Sequence, residues 1–342
     1  MSERASANNE SPPPHVRLVE MGTAGFIAMI VHAAAKFGIA DHLAGGARTA
    51  ADLAQVTGTH APSLYRLLRT LAGMGILTEG PAHTFSLTPT GEALKAGAPG
   101  AARETILTFA GPAVWDGIKE FPYSVQTGKT GLEKVFGMPT FDWYAQHPQE
   151  ASWFSQAMIG MHGGEPPAVA AAYDFPRAGT LVDVGGATGH MLTTVLARHA
   201  GLRGVLFDVP HVEKEARDLI RSRGLSERIT IETGNFFERV PNGGDLYLLS
   251  HIIHDWREDQ CLTILGHVRK AMNPGGRMLL IEMVLPPGNV MHPGKVLDML
   301  MLVGTGGQER TQEEYGALLA KAGFRLTRVV PTQSAVSVIE AV

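Results

Sequence analysis

The feature that most constrains this chain is an alternation that begins at Thr180. Short apolar runs at Thr180–Val184, Gly204–Asp208, Ile229–Glu232, Leu246–Ser250 and Met278–Glu282 read as strands. Helical stretches at Met191–Ala200, His211–Arg223 and Asp259–Met272 separate the main ones. Strand and helix in alternation predict a doubly wound, mostly parallel α/β sheet. The tail, Arg325–Val330 and Ala335–Glu340, is expected to close it as an antiparallel hairpin. Ligands of such sheets bind beyond the C-terminal ends of the strands, so those ends are where chemistry is sought.

The first strand runs into Asp183-Val184-Gly185-Gly186-Ala187-Thr188-Gly189-His190. Glycines there allow a tight turn and close approach of a ligand to the backbone. The dinucleotide pattern G-x-G-x-x-G fails because Val184 holds the first glycine position, and no Gly-Lys-Ser/Thr follows. The loop suits a nucleoside without a pyrophosphate. Asp208 ends the next strand about 20 residues on, where a carboxylate grips ribose hydroxyls. The third strand ends in Gly234-Asn235-Phe236-Phe237, with Asn235 for an adenine edge and Phe236 for its face.

The fourth strand ends Ser250-His251-Ile252-Ile253-His254-Asp255-Trp256. Histidines three apart beside an acid raise a zinc site, but no further Cys or His cluster completes a shell, and we assign no metal. A histidine of pKa ~6.5 is also suited to act as a general base near neutral pH. A purely structural histidine at a strand end is the third reading.

The region before the alternation is different. The start, MSERASANNESPPPH, is polar and Pro-rich and reads as an arm without a signal peptide. The apolar stretch Gly25–Ala40 carries His32 and Lys36 and falls short of the ~18 apolar residues of a membrane span, so a buried or dimer-core helix is expected. Thr49 with Asp52 forms a capping-box variant, and a helix ending at Gly58 follows. Thr59 is expected to cap a second helix, striped by Leu64, Leu67, Leu68 and Leu71. A hairpin at Ile76–Thr78 and Thr84–Leu87 completes a winged helix. DNA binding is disfavoured, since the would-be recognition helix offers only Arg66 and Arg69 and the net charge is −4. From 101 to 175 the pattern is helical and aromatic. Phe154, Met158, Met161 and His162 suit a flat aromatic ligand, with core packing as the alternative. The single cysteine, Cys261, excludes an intramolecular disulfide and fits a reducing, cytoplasmic setting.

Taken together, Leu181–His190, Phe207–Val212, Gly234–Phe237, His251–Trp256, Asn273–Arg277 and Thr305–Thr311 resemble the S-adenosylmethionine-dependent small-molecule O-methyltransferases. That family includes plant caffeate and flavonoid enzymes, acetylserotonin O-methyltransferase and bacterial antibiotic-tailoring enzymes. The resemblance covers nearly the whole chain. It implies a Rossmann-like class I methyltransferase domain over 176–342, preceded by an arm (1–14), a winged-helix dimerisation domain (15–100) and helical pocket elements (101–175).

By position, the resemblance assigns S-adenosylmethionine to the loop of Asp183, Gly185 and Gly186, to Asp208, Asn235 and Phe236, and to Ser250 or His251. It makes His254 the base, braced by Glu282 and Glu309. Phe154, Met158, His162, Met301 and Thr305 are the expected pocket walls. Ala187 and Asn235 depart from the glycine and aspartate of many relatives. The implied reaction is methylation of a hydroxyl, phenolic on a small aromatic or polyketide ring, by a homodimer without nucleic-acid or membrane partners. The alternatives are a same-scaffold hydroxylase or cyclase that has lost methyl transfer, and a winged-helix regulator.

Overall fold

The structure is a computed structural model and describes residues 12–342. The arm expected over 1–14 lies, as far as residue 11, outside the described residues. The chain forms two compact units, one up to Pro112 together with Gln149–Met161, the other Ala113–Pro148 together with His162–Val342. The helical stretch 101–175, read from sequence as one block, is thus shared between both.

In the first unit, a three-stranded antiparallel sheet of β1 (Arg48–Thr49), β2 (Leu77–Gly80) and β3 (Thr84–Leu87), ordered β1-β3-β2, flanks helices Ala50–Thr57 and Ala61–Gly73. This is the winged helix. Thr49 accepts from the amide of Asp52, and the Asp52 carboxylate accepts from that of Thr49, so the capping box forms as read. The next cap corrects the sequence reading. The second helix starts from His60, not Thr59: His60 is the extended residue before Ala61, and the hydroxyl of Thr59 bonds to that of Thr57 instead. Leu64, Leu68 and Leu71 are buried with Leu53 and Phe85, while Leu67 is only partly covered.

The long first helix, Pro14–Lys36, begins well before Gly25. It is long and apolar enough, with a mean hydropathy of 1.6, to cross a membrane by length and composition, contrary to the expectation from Gly25–Ala40 alone. Ala34 and Ala35 are buried, whereas Leu18, Val19, Met21, Phe26 and Ile27 are exposed. A run of large apolar side chains in water marks a surface made for contact.

The second unit is built on β4 (Gly179–Val184), β5 (Leu202–Asp208), β6 (Ile229–Thr233), β7 (Gly244–Ser250) and β8 (Met272–Glu282). A two-stranded parallel pair, β9 (Val284–Leu285) with β10 (Arg310–Thr311), stands apart. The antiparallel hairpin β11 (Leu326–Pro331) and β12 (Ser337–Ala341) closes the main sheet, whose order is β11-β12-β8-β7-β4-β5-β6. Helices His190–Arg198, Glu213–Ser222 and Glu258–Ala271 form close to the predicted spans.

Period-two alternation separates the core into two faces. Leu181, Leu246, Leu248, Leu279 and Ile281 pack on one, and Val182, Tyr247, Leu249, Met278 and Leu280 on the other. Register does the rest. Val184 pairs with Phe207, and Ser250 with Ile281, so the ends of β4, β5, β7 and β8 open on one edge. The order reverses between β4 and β7, the place where such sheets leave a crevice. Leu248 is fully buried in the middle strand. Leu248→Ala is expected to lower stability by about 2–5 kcal/mol in a urea titration; a loss below half a kcal/mol would contradict this packing.

Candidate active site

The loop after β4 is held down on the strand ends. Gly185 has φ +71°, and a Cβ there would meet Ile252 Cδ1 at 2.5 Å. A Cβ on Gly186 would meet Leu206 at 2.5 Å and Asp183 at 2.6 Å. Both positions therefore exclude side chains, and the backbone is left bare. Ala187 adopts φ 47°, the left-handed region that a glycine enters more freely. Its amide donates to Asp208 Oδ2 at 2.7 Å, and Val209 donates to Asp208 Oδ1 at 2.6 Å. Burial raises the Asp208 carboxyl against the pull of these bonds.

Asp183 is fully buried beneath Gly186; burial, then the charge of Asp208, pushes it up to about 7. Its position is that of a support under the loop. Asn235 is exposed, and its side-chain oxygen accepts from the amide of Phe237 at 2.9 Å, closing a local turn. The Phe236 ring lies 3.6 Å from the Cβ position of Gly185 and packs edge-on against Trp256.

His254 sits on the short turn Ile253–Asp255 after β7. Its Nδ1 is 2.6 Å from Glu309 Oε1 and 3.6 Å from Glu282 Oε2, and its Nε2 is 3.7 Å from Asp255 Oδ1. An ionised carboxylate only accepts, so Nδ1 carries the proton and Nε2 of the neutral ring holds the lone pair. Each partner is fixed in turn. Glu282, at the end of β8, accepts from the amide of Ile253 at 2.9 Å. Asp298 accepts from the amide of Glu309 at 2.9 Å. Gly307 lets its loop cross the carbonyl of His254, where a Cβ would lie at 1.9 Å, and Gln308 donates to that carbonyl at 2.8 Å.

Burial alone would lower the imidazole pKa. Glu282, Asp255 and Glu309 outweigh it and raise His254 to about 10. Burial likewise pushes Glu282 up to about 7, against the attraction of His254.

The expected pocket residues fall in different places. His162 donates from Nδ1 to Glu165 Oε1 at 3.1 Å, and its ring lies 4.0 Å from that of His251. Met301 and Thr305 are half-buried near the end of helix Pro293–Gly304, and Thr305 closes its last turn by bonding the carbonyl of Met301. Phe154 and Met158 lie half-buried on helix Pro148–His162, in the stretch belonging to the first unit.

Comparison with known proteins gives the family. A family model for the O-methyltransferase domain matches residues 119–325, and one for the O-methyltransferase dimerisation domain matches residues 23–96. The chain belongs to the O-methyltransferase family. A phenazine O-methyltransferase, PhzM, of Lysobacter antibioticus is 38% identical over 324 residues, 95% of each chain. A mitomycin biosynthesis 6-O-methyltransferase of Streptomyces lavendulae is 37% identical over 89% of this chain and 87% of that one. The solved structure of the neocarzinostatin O-methyltransferase NcsB1, in complex with S-adenosyl-L-homocysteine and 1,4-dihydroxy-2-naphthoic acid, has a TM-score of 0.82 at 33% identity, covering 92% of this chain and 95% of that one.

This O-methyltransferase depends on S-adenosylmethionine, and the bare glycine loop with Asp208 at its rim fits such a ligand. Sequence reading passed over some groups around His254 and His251. Glu165 and Asp298 lie on other elements, and no spacing marks them; Asp255, the acid next to His254 in sequence, faces its Nε2. Arg310 is buried and donates to the carbonyls of Ile253 and Gln308, tying the two loops together.

Two groups of side chains come within ion-sharing distance of one another, His162 with Glu165 and His251, and His251 with His254 and Glu282. Hydrogen bonding already occupies both Glu165 oxygens in the first. Cys261 is buried, its thiol pushed up to about 11 by burial, and it donates to the carbonyl of Ile253, so it is a poor nucleophile.

Since the carboxylates hold the proton on His254, nitrogen-resolved NMR should show this ring still charged at pH 8 and neutral only near pH 10. Glu309→Gln removes one of them and should move the midpoint downward. A midpoint of ~6.5, that of a free histidine, would refute the arrangement.

Proposed function

We propose that the chain methylates a phenolic hydroxyl on a small aromatic or polyketide-type molecule, with His254 as general base. The observation that carries this is the burial of His254 between Glu282, Glu309 and Asp255 with Nδ1 tied to Glu309. A phenol has a pKa of ~10 and is about 0.1% ionised at pH 7, a handicap of about 4 kcal/mol. The carboxylates raise His254 to about 10, close to that acidity, so transfer from phenol to the neutral ring is near balance; the resting ring must first release its own proton, and turnover should rise with pH up to about 10. Asp255 faces the nitrogen that receives it, and Glu309 holds the ring in orientation while the charge forms. The aromatic relatives' names, from phenazine to naphthoic acid, support the same acceptor class.

Bound S-adenosylmethionine supplies an electrophilic methyl on its sulfonium. Asp208 keeps lone pairs for the ribose hydroxyls, Gly185 and Gly186 admit the ligand to the backbone, and Phe236, Asn235 and Ser250 border the base and tail. Met301, Thr305 and His162 are assigned to the acceptor.

General-base help is worth roughly 10²–10⁴-fold. His254→Ala should therefore cut turnover at least about a hundredfold while calorimetry shows S-adenosylmethionine binding unchanged. Asp208→Ala should do the reverse first, weakening that binding. The assay is release of S-adenosylhomocysteine with a panel of phenols; full turnover by His254→Ala at pH 7 would exclude the base.

The exposed apolar face of helix Pro14–Lys36 we assign to a second copy of the chain, within the dimerisation domain, rather than to lipid or nucleic acid. We place this homodimer in a reducing cytoplasm. Light scattering on a sizing column should return twice the chain mass; a monomer of 36.5 kDa would reject this assignment.

A further inference from the structure

The carboxylate of Glu309 is held by little besides its target. Its Oε1 lies 2.6 Å from His254 Nδ1, and its Oε2 is buried with no hydrogen-bond partner among the described residues. Glu282 is held differently, since the amide of Ile253 donates to it at 2.9 Å. A glutamate side chain turns about several bonds, each with its own staggered wells, so its carboxylate reaches the imidazole only if its backbone is placed correctly. After Glu309 the backbone is held by the pairing of Arg310 with Val284 and of Thr311 with Leu285. Before it, Gln308 donates to the carbonyl of His254 at 2.8 Å. The amide of Glu309 itself donates to Asp298 Oδ1 at 2.9 Å, a bond that reaches back 11 residues.

The surroundings of Asp298 disfavour its charge. Burial raises its carboxyl, and the charges of Glu309 and Glu314 push the same way, opposed by the amide of Glu309 and the guanidinium of Arg310. A negative group that repels the very residue it bonds contributes through the place of its acceptor oxygen. That place is set by helix Pro293–Gly304, which carries Asp298 in its interior. Met301 and Thr305 follow at i+3 and i+7 and so lie on the same side of the helix. One element therefore carries both the wall assigned to the acceptor and the anchor of Glu309. We propose that Asp298 is a positioning residue: by holding the amide of Glu309 it aims that carboxylate at Nδ1 of His254, and it fixes the aim relative to the helix assigned to the acceptor. It acts through Glu309 and touches no reacting atom. Its part in the reaction rests on the reading of His254 as the base; its hold on Glu309 does not.

Two substitutions separate the place of the acceptor from its charge. Asp298→Asn keeps an oxygen at the same reach and removes the charge; Asp298→Glu keeps the charge and moves the oxygen by one methylene. Nitrogen-resolved NMR on the full-length protein should find the His254 midpoint in Asp298→Asn within about half a pH unit of the unsubstituted chain, and in Asp298→Glu lower by at least about one pH unit, about a tenfold loss of proton affinity. The proton on Nδ1 should stay protected from exchange in the first and be lost to exchange in the second. Should Asp298→Glu fail to fold, Asp298→Ala, whose side chain offers no acceptor, takes its place under the same criteria. Equal midpoints in all forms, a fall in Asp298→Asn as large as in Asp298→Glu, or a loss of stability in urea with His254 unmoved would each overturn the proposal. Release of S-adenosylhomocysteine with the panel of phenols is scored separately, at a pH above the midpoint, where Asp298→Glu is expected to lose about tenfold or more. Undiminished turnover beside a lowered midpoint removes His254 as the base and leaves the hold on Glu309 standing.

Discussion

An imidazole buried among carboxylates is the constraint on which this end of the sheet is organised. Placing Glu282 and Glu309 out of water is costly, and each is at or below 1% exposure. The cost is offset where His254 meets both, where the amide of Ile253 donates to Glu282, and where Arg310 braces the same turn. Such a cluster tolerates little displacement, because removing one member leaves the others as unpaired buried charges. The close crossing of Gly307 over the carbonyl of His254 follows from the same demand: the loop carrying Glu309 must come that near.

The sheet supplies the frame. Its parallel register brings the end of β8 beside the end of β7, and the loop of β4 beside the end of β5. One edge thereby collects the bare glycine backbone, Asp208, His254 and Glu282 without any of them being neighbours in sequence. The long β8 strand and its hairpin neighbour β12 make the Glu282 end rigid, with Met278 to Ile281 fully buried. A side chain held by such elements keeps its orientation better than one placed on a free loop.

Glu165 shows how a support element acquires a second use. It starts helix Glu165–Ala172, where a carboxylate also suits the positive end of the helix. It gathers His162 and His251 and so decides which nitrogen of His251 is left without a proton.

Sequence alone determined the alternation of strand and helix, the glycine loop, the acids at strand ends and His254, because each is a local pattern with a local physical cause. It also gave the capping box at Thr49, a contact between residues three apart. Other matters lay beyond it. The start of the second winged-helix helix moved from Thr59 to His60, since the hydroxyl of Thr59 found Thr57 instead. That the side-chain oxygen of Asn235 closes its own turn, and that Asp183 lies enclosed against Gly186, came from the structure. Glu165 and Asp298 entered the site only through long-range packing. Tertiary structure alone decided the charge of each buried group and the tautomer of each histidine, because these depend on how far carboxylates distant in sequence stand from a ring nitrogen, and no spacing along the chain encodes that distance.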